Sequence, residues 1–158
     1  MTSCHGFTYM SVLVLIIVTG IALTSASRSW RLTMQREREK ELLFRGDQIR
    51  NAIKSYYNAV DGKFAYPSRL EDLLKDPRFL ATRRHLRKIF KDPMINSGEW
   101  GIVLGSGNSI KGVYSKSEGV PLKKGDFPEV YQNFELANKY SDWKFVFVQD
   151  KTTNTKKG

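Results

Sequence analysis

An uncharged apolar stretch at the N-terminus constrains this chain more than any other feature. No Asp, Glu, Lys or Arg occurs before Arg28, and the segment from Phe7 to Ala26 consists of twenty mainly apolar residues. As an α-helix, such a segment would span roughly 30 Å, about the thickness of the hydrocarbon core of a bilayer. The sequence therefore predicts a transmembrane or assembly helix at 7–27, with the rest of the chain carried behind it.

The remaining composition is that of one small folded domain. The chain has 158 residues, of which 41% are hydrophobic and 12% aromatic, enough for a packed core. Cys4 is the single cysteine, so no internal disulfide can form. The formal net charge of +10 favours anionic partners, although a solvated basic surface without any partner is the plainer interpretation.

A second helical segment follows the apolar one without interruption. Between Arg28 and Val60 there is no proline and a single glycine, Gly46. An apolar stripe with helical spacing runs through Leu42, Ile49, Ile53, Tyr56 and Val60. We therefore expect residues 28–61 to extend the helix, to pack on the chain's own domain and to end at the turn Asp61-Gly62.

Two short helices are predicted next. Ser68 is a candidate N-cap with Glu71 three residues later, as in a capping box, and residues 81–90 have a helical apolar pattern. The outward positions of the second segment carry a candidate anion-binding cluster: Arg83, Arg84, Arg87 and Lys88. Because no aromatic residues interleave these cations, we do not expect nucleic acid as a partner.

The pattern then changes to the period of β-strands. Residues 100–104 and 110–115 predict a hairpin around a Gly-rich turn at 105–108, and residues 129–140 predict a short helix. Residues 143–149 predict a third strand, with Trp143, Phe145 and Phe147 on one face. The expected fold class is α+β, with a long helix packed on a small antiparallel sheet in a globular domain at 62–149, followed by a mobile polar tail at 150–158.

Motifs for enzymatic chemistry are missing from the sequence. There is no Cys/His cluster with zinc spacing, no Walker loop and no serine in a Gly-x-Ser-x-Gly context. A solvated or hydrogen-bonded state is the simplest interpretation of His85, which lies between basic residues. We therefore predict that the protein is not an enzyme.

The start of the apolar stretch resembles the processing site of type IV pilins and type II secretion pseudopilins. Gly6, Phe7 and Thr8 match the cleavage junction, and Gly20 stands where the family often has a mid-helix glycine. The resemblance implies a leader at 1–6 and a prepilin peptidase that cuts between Gly6 and Phe7 and methylates the new amino group of Phe7. Cleavage would remove Cys4 and leave a mature chain without cysteine.

A looser resemblance to major-type pseudopilins covers the chain to about Ser117. It includes the segments 43–50, 66–67, 70–74, 84–86, 92–93, 100–101 and 112–115, together with Ile53, Tyr56 and Tyr57. The departure is Ser11, where most members of the family have a glutamate that is thought to neutralise the amino terminus of the adjacent subunit. An unpaired charge in a bilayer is costly, and a serine supplies no countercharge. The resemblance therefore implies a pilin-like fold and a minor or specialised subunit with assembly residues Phe7, Ser11 and Gly20.

The implied function is assembly of a periplasmic pseudopilus that drives protein export. The implied location is the inner membrane of a diderm bacterium, with a single span and a periplasmic C-terminal domain. The implied partners are other pseudopilins or pilins, the prepilin peptidase, the inner-membrane assembly platform and membrane lipid. Major pseudopilins commonly hold calcium, but the candidate ligands Asp126, Glu129 and Asp142 lack the usual acidic spacing, so no metal or cofactor is expected.

Two other functional hypotheses remain open at this point. The first is a DNA-binding, competence-type pilin that uses the basic cluster. The second is a signal-anchored periplasmic domain that never assembles. Separately, the apolar stretch could be a secretory signal peptide with a cleavage site at 24–27.

Overall fold

The computed structural model describes the backbone of residues 5–61 and 64–149, with their side chains except those of residues 5–7 and 21–28. The chain divides into two compact units, Met1–Glu37 and Arg38–Gly158. Most of the predicted leader 1–6 and the whole predicted tail 150–158 lie outside the described residues.

A single long helix, α1, runs from His5 to Tyr57. The helix ends about one turn before the predicted turn at Asp61-Gly62, and the amide of Ala59 bonds to the carbonyl of Tyr56 at 3.2 Å. The guanidinium groups of Arg78 and Arg83 then bind the carbonyls of Tyr56 and Ala59 at 2.7 and 3.1 Å. Arginines at this end satisfy free carbonyls and complement the negative end of the helix dipole.

The predicted apolar stripe on the C-terminal part of α1 is confirmed. Leu42, Ile49, Ile53 and Tyr56 are all at most 4% exposed, whereas Val60, beyond the end of the helix, is half-buried. This stripe belongs to one apolar cluster with the aromatic side chains of the sheet and its connecting segments. Burial of each such side chain contributes about 1.5–3 kcal/mol relative to leaving it exposed.

Three antiparallel strands follow in the order β1-β2-β3: β1 (Trp100–Leu104), β2 (Ile110–Ser115) and β3 (Lys144–Val146). The predicted hairpin is confirmed, with Trp100 opposite Ser115 and a turn in which Gly107 and Asn108 have φ near +70° and +60°. The third strand is shorter than predicted. Its inward face is as expected, since Trp143, Phe145 and Phe147 are buried.

The short helices are not formed as predicted. A 3₁₀ turn at Leu70–Leu73 replaces the first, and its cap is the carboxylate of Asp72, which accepts the amides of Ser68 and Arg69 at 3.1 and 3.0 Å. The predicted Ser68–Glu71 capping box is therefore wrong.

Residues 81–90 form no helix. In place of the predicted helix at 129–140, the structure has 3₁₀ turns at Glu129–Leu136 and Tyr140–Asp142. The first of these turns is kinked at Tyr131, whose buried ring donates its hydroxyl to Asp47 at 2.6 Å. The architecture as a whole is α+β, a long helix followed by a small antiparallel sheet.

Prediction for the helix–sheet contact. The ring of Phe145 lies so close to α1 at Gly46 that a Cβ there would collide with it. Overpacking a rigid core costs about 1–3 kcal/mol, which exceeds the roughly 1 kcal/mol that alanine gains in helix propensity. We expect Gly46→Ala to lower the free energy of unfolding by about 1–2 kcal/mol, measured by urea titration in detergent micelles with near-UV circular dichroism.

Gly20→Ala is the matched control, because a Cβ at Gly20 would meet nothing within 4 Å. It should cause no loss of stability. Equal stability of the two variants would show that the ring of Phe145 does not pack tightly on α1.

Candidate functional site

The N-terminal part of α1 presents apolar side chains on every side. Each of residues 8–20 is exposed, and Tyr9, Met10 and Leu15 are 67%, 65% and 63% exposed. The hydroxyl of Thr19 donates back to the carbonyls of Leu15 and Ile16, both at 2.9 Å, so this polar group is hydrogen-bonded within its own helix. Exposed apolar side chains all around a helix are typical of a segment that contacts other molecules.

The predicted processing and assembly residues lie on this same helix. The bond between Gly6 and Phe7 falls in the first turn of α1, although the side-chain positions of both residues lie outside the described part. The first turn of a helix has amides without intrahelical partners and is therefore the easiest to unwind. Ser11 and Gly20 are described, and both are exposed.

Among the described residues, no helix combines the length and apolarity needed to cross a membrane. The predicted segment 7–27 includes residues 7 and 21–27, whose side chains are not described, and its membrane-spanning role stays a prediction.

All four members of the predicted basic cluster are exposed, and they differ in their contacts. Arg83 bonds to the carbonyl of Ala59 and lies 4.7 Å above the ring of Phe79, and the ammonium of Lys88 lies 5.4 Å from the ring of Phe90. The other two members, Arg84 and Arg87, line a cavity of about 440 Å³ together with Leu74, Lys75 and Thr82. Lys75 and Thr82 were missed, because only the tertiary fold brings them to this place.

A buried polar cluster holds the loop that carries these cations. The carboxylate of Asp76 accepts hydrogen bonds from Arg78 Nε at 2.8 Å and Nη2 at 2.6 Å, and lies 3.2 Å from His85 Nε2. Burial by itself would raise the pKa of Asp76, but the bonds from Arg78 and His85 outweigh it and lower the pKa to about 2. The guanidinium of Arg78 also lies 3.7 Å above the ring of Tyr56, on α1.

Ser55, His85 and Asp76 are linked in the order of a nucleophilic triad. Ser55 Oγ lies 2.8 Å from His85 Nδ1, and the His85 side chain is 1% exposed. However, the carboxylate of Asp76 is already neutralised by Arg78, so it cannot stabilise an imidazolium as a triad acid does. Because Ser55 lies within α1, the neighbouring amides are bonded along the helix and cannot form an oxyanion hole. The arrangement fits the hydrogen-bonded histidine that the sequence suggests.

A second buried carboxylate, Glu39, fastens the loop before the last strand to α1. Glu39 is 3% exposed, and its Oε1 accepts the amide of Leu122 at 2.5 Å and the hydroxyl of Tyr140 at 2.8 Å. Sequence reasoning missed this residue, since a charged residue within a helical pattern gives no signal of burial.

The predicted calcium candidates were Asp126, Glu129 and Asp142. Within the described residues, no group of three or more His, Cys, Asp or Glu side chains is placed to hold a metal ion. The carboxylate of Asp142 accepts the amide of Lys139 at 3.1 Å and so caps its own turn.

No protein-family model, curated protein or solved structure matches this chain.

Prediction for acid stability. Because the folded state lowers the pKa of Asp76 below its ordinary value near 3.8, its stabilisation is full above that value and is lost as the pH falls to about 2. We expect the wild-type chain to lose roughly 2 kcal/mol of unfolding free energy across this interval through Asp76. Asp76→Asn should be destabilised by roughly 2–4 kcal/mol at neutral pH and should lose this part of the acid dependence.

The exposed Asp61 supplies the control variant, Asp61→Asn. Its urea unfolding curves should follow those of the wild type at every pH. If the unfolding free energy of Asp76→Asn fell at low pH as much as that of the wild type, the assignment of this acid dependence to Asp76 would be contradicted.

Prediction for the Glu39 contact. Glu39→Ala leaves the amide of Leu122 and the hydroxyl of Tyr140 without their acceptor, which costs about 2–3 kcal/mol for buried donors. We expect faster hydrogen exchange at Leu122 and faster proteolysis near residues 119–128. Glu37→Ala, at an exposed position of the same helix, should change neither. Unchanged exchange at Leu122 in Glu39→Ala would show that Glu39 does not hold the loop.

Proposed function

We propose that this protein is a pilin-like structural subunit, a minor or specialised pseudopilin of a type II secretion system. It assembles through the apolar N-terminal part of α1 into a periplasmic pseudopilus. The observation that carries the proposal is the contrast within one helix. Its described N-terminal residues 8–20 are exposed and largely apolar, while Leu42, Ile49 and Ile53 are at most 1% exposed.

This contrast separates two kinds of packing. The stripe Leu42, Ile49 and Ile53 is buried in the protein's own core, so it is not available to partner molecules. The N-terminal residues have large apolar side chains on successive positions, which is typical of helices that pack among lipids and other helices. A lateral bundle of such helices is the filament core that the Gly6-Phe7-Thr8 resemblance implies.

The fold supports the same proposal at a coarser level. A long helix whose C-terminal part packs on a small antiparallel sheet is the arrangement expected for a pilin-like domain. The finer assignment rests on the sequence resemblance from Gly6 to about Ser117.

Ser11 is the reason for proposing a minor or specialised subunit. A glutamate at this position would pair with the amino terminus of a neighbouring copy, and a serine cannot neutralise that charge. In a filament of identical copies, every contact would therefore leave the amino-terminal charge of one copy without a countercharge. A single copy in a mixed filament does not repeat this cost.

Prediction for processing. Expressed in a bacterium that has a prepilin peptidase, the chain should begin at an N-methylated Phe7, which intact-protein mass spectrometry detects. Gly6→Val should block cleavage, because a side chain replaces the hydrogen at the junction, whereas Gly20→Ala should be processed normally. An intact Met1, or a new terminus near Ala26, would contradict the proposal.

Prediction for assembly. Once Cys4 is removed with the leader, a cysteine introduced in place of Ile16, which is 60% exposed, is the only thiol of the mature chain. It should cross-link to other pseudopilins in membranes, while Lys144→Cys on the exposed side of β3 should not. Adding Ser11→Glu should increase cross-links between identical copies, because it supplies the missing countercharge. Absence of any Ile16→Cys cross-link would favour the signal-anchored domain that never assembles.

The DNA-binding hypothesis requires Arg83, Arg84, Arg87 and Lys88 to act as one surface. Arg83 is engaged by the carbonyl of Ala59 and the ring of Phe79, and Lys88 lies against Phe90. We therefore do not adopt it as the main proposal.

A further inference from the structure

We propose that Lys75, Thr82, Arg84 and Arg87 form a binding site for a phosphate-bearing anion. The site is independent of the proposed role in a pseudopilus, since it lies wholly in the unit Arg38–Gly158 and uses no residue of the apolar helix segment.

The backbone places these cations against one another. The amides of His85 and Leu86 both donate to the carbonyl of Leu73 at 2.9 Å, and the amide of Asp76 donates to the carbonyl of Arg83 at 3.0 Å. The two chain segments therefore run side by side, so that position 75 is opposite position 84.

The inward side of this loop is fixed by buried side chains. His85 has a side chain that is 1% exposed, and Leu86 is 7% exposed. Their neighbours Arg84 and Arg87 are consequently held on the outer side, where both are exposed. Lys75, Arg84 and Arg87 are all exposed and line the same cavity.

The charges at this place are not balanced within the described structure. The cavity is lined by three cationic side chains and no carboxylate. Asp76 is committed to Arg78 and His85, and Asp72 accepts the amides of Ser68 and Arg69. Like charges brought together in this way repel one another, and a bound anion would replace that repulsion with attraction.

The donor set fits phosphate chemistry. The guanidinium groups of Arg84 and Arg87 present the planar forks that bind phosphate oxygens in pairs, Lys75 adds a point charge and Thr82 adds a hydroxyl. A cavity of about 440 Å³ accommodates a phosphate or pyrophosphate group with its immediate substituent. No aromatic side chain lines the cavity, so it offers no platform for stacking a nucleobase.

The test uses the full chain in micelles of a neutral detergent, with ¹⁵N-labelled arginine. The probes are pyrophosphate, dioctanoyl phosphatidylglycerol and, as its zwitterionic counterpart without net charge, dioctanoyl phosphatidylcholine. A short DNA duplex is the fourth probe. The readouts are the Nε–H resonances of Arg84 and Arg87 and the dissociation constant from calorimetry.

Two doubly substituted variants separate a defined site from the general positive charge. Arg84→Gln/Arg87→Gln removes two charges from the cavity, and Lys54→Gln/Lys144→Gln removes two from exposed positions elsewhere. We expect saturable binding that weakens at least about tenfold in the first variant and is unchanged in the second. Lys75→Gln alone should weaken binding to a smaller extent.

Each result decides between support and rejection. Saturable binding of pyrophosphate supports the site with a free phosphate as ligand, and binding of phosphatidylglycerol alone supports it with a lipid headgroup. Equal weakening in both double variants would overturn the proposal, because it would reflect only the net charge of the chain. Binding of DNA alone, or no saturable binding of any probe, would overturn it as well.

Discussion

The packing of the C-terminal part of α1 on an aromatic core is the interaction on which the rest of the domain depends. Phe134 and Trp143 stack with ring centroids 5.5 Å apart and planes within 5°, and Phe145 meets Phe134 edge-on at 5.4 Å. Gly46 lets the helix come close to this layer. Strands of five, six and three residues form a small sheet, and such a sheet needs an apolar face or a covering helix to be stable. Here the apolar face of the sheet and the C-terminal part of α1 share one core.

Two buried carboxylates extend this packing to segments that have little regular structure. Glu39 binds the loop at Leu122 to α1, and Asp76 binds the segment at Arg78 and His85, which in turn contacts Tyr56. Buried polar groups are costly unless they are hydrogen-bonded, so each of these carboxylates stabilises only the conformation that satisfies it. Irregular loops in this domain are therefore held by buried side-chain acceptors in addition to backbone bonds.

Features that depend on residues close together in the chain were predicted correctly, and features that depend on contacts between distant residues were not. The helical stripe from Leu42 to Tyr56 and the hairpin of β1 and β2 were correctly predicted, because periodicity and turn residues are local signals. Residues 81–90 were wrongly predicted as a helix, and the amides of His85 and Leu86 bond to Leu73 rather than along their own segment. Glu39 could not be found, because its partner Leu122 lies far along the chain and leaves no mark on the local pattern. The convergence of Lys75 with Arg84 depends on the same kind of long-range contact.

Because residues 81–90 do not form a helix, their basic side chains are placed differently on the surface from what the sequence predicted. In a helix, Arg83 and Arg87, and likewise Arg84 and Lys88, would be four residues apart and would share one face as a continuous basic stripe. The observed backbone instead turns Arg83 toward Ala59 and leaves Lys88 beside Phe90. The charge that remains is concentrated where Lys75 joins Arg84 and Arg87. A stripe of cations matches the repeating charges of a polymer, whereas three cations around one cavity match the several oxygens of one phosphate group. The bonding of two backbone amides to Leu73 favours the three cations around the cavity over the stripe.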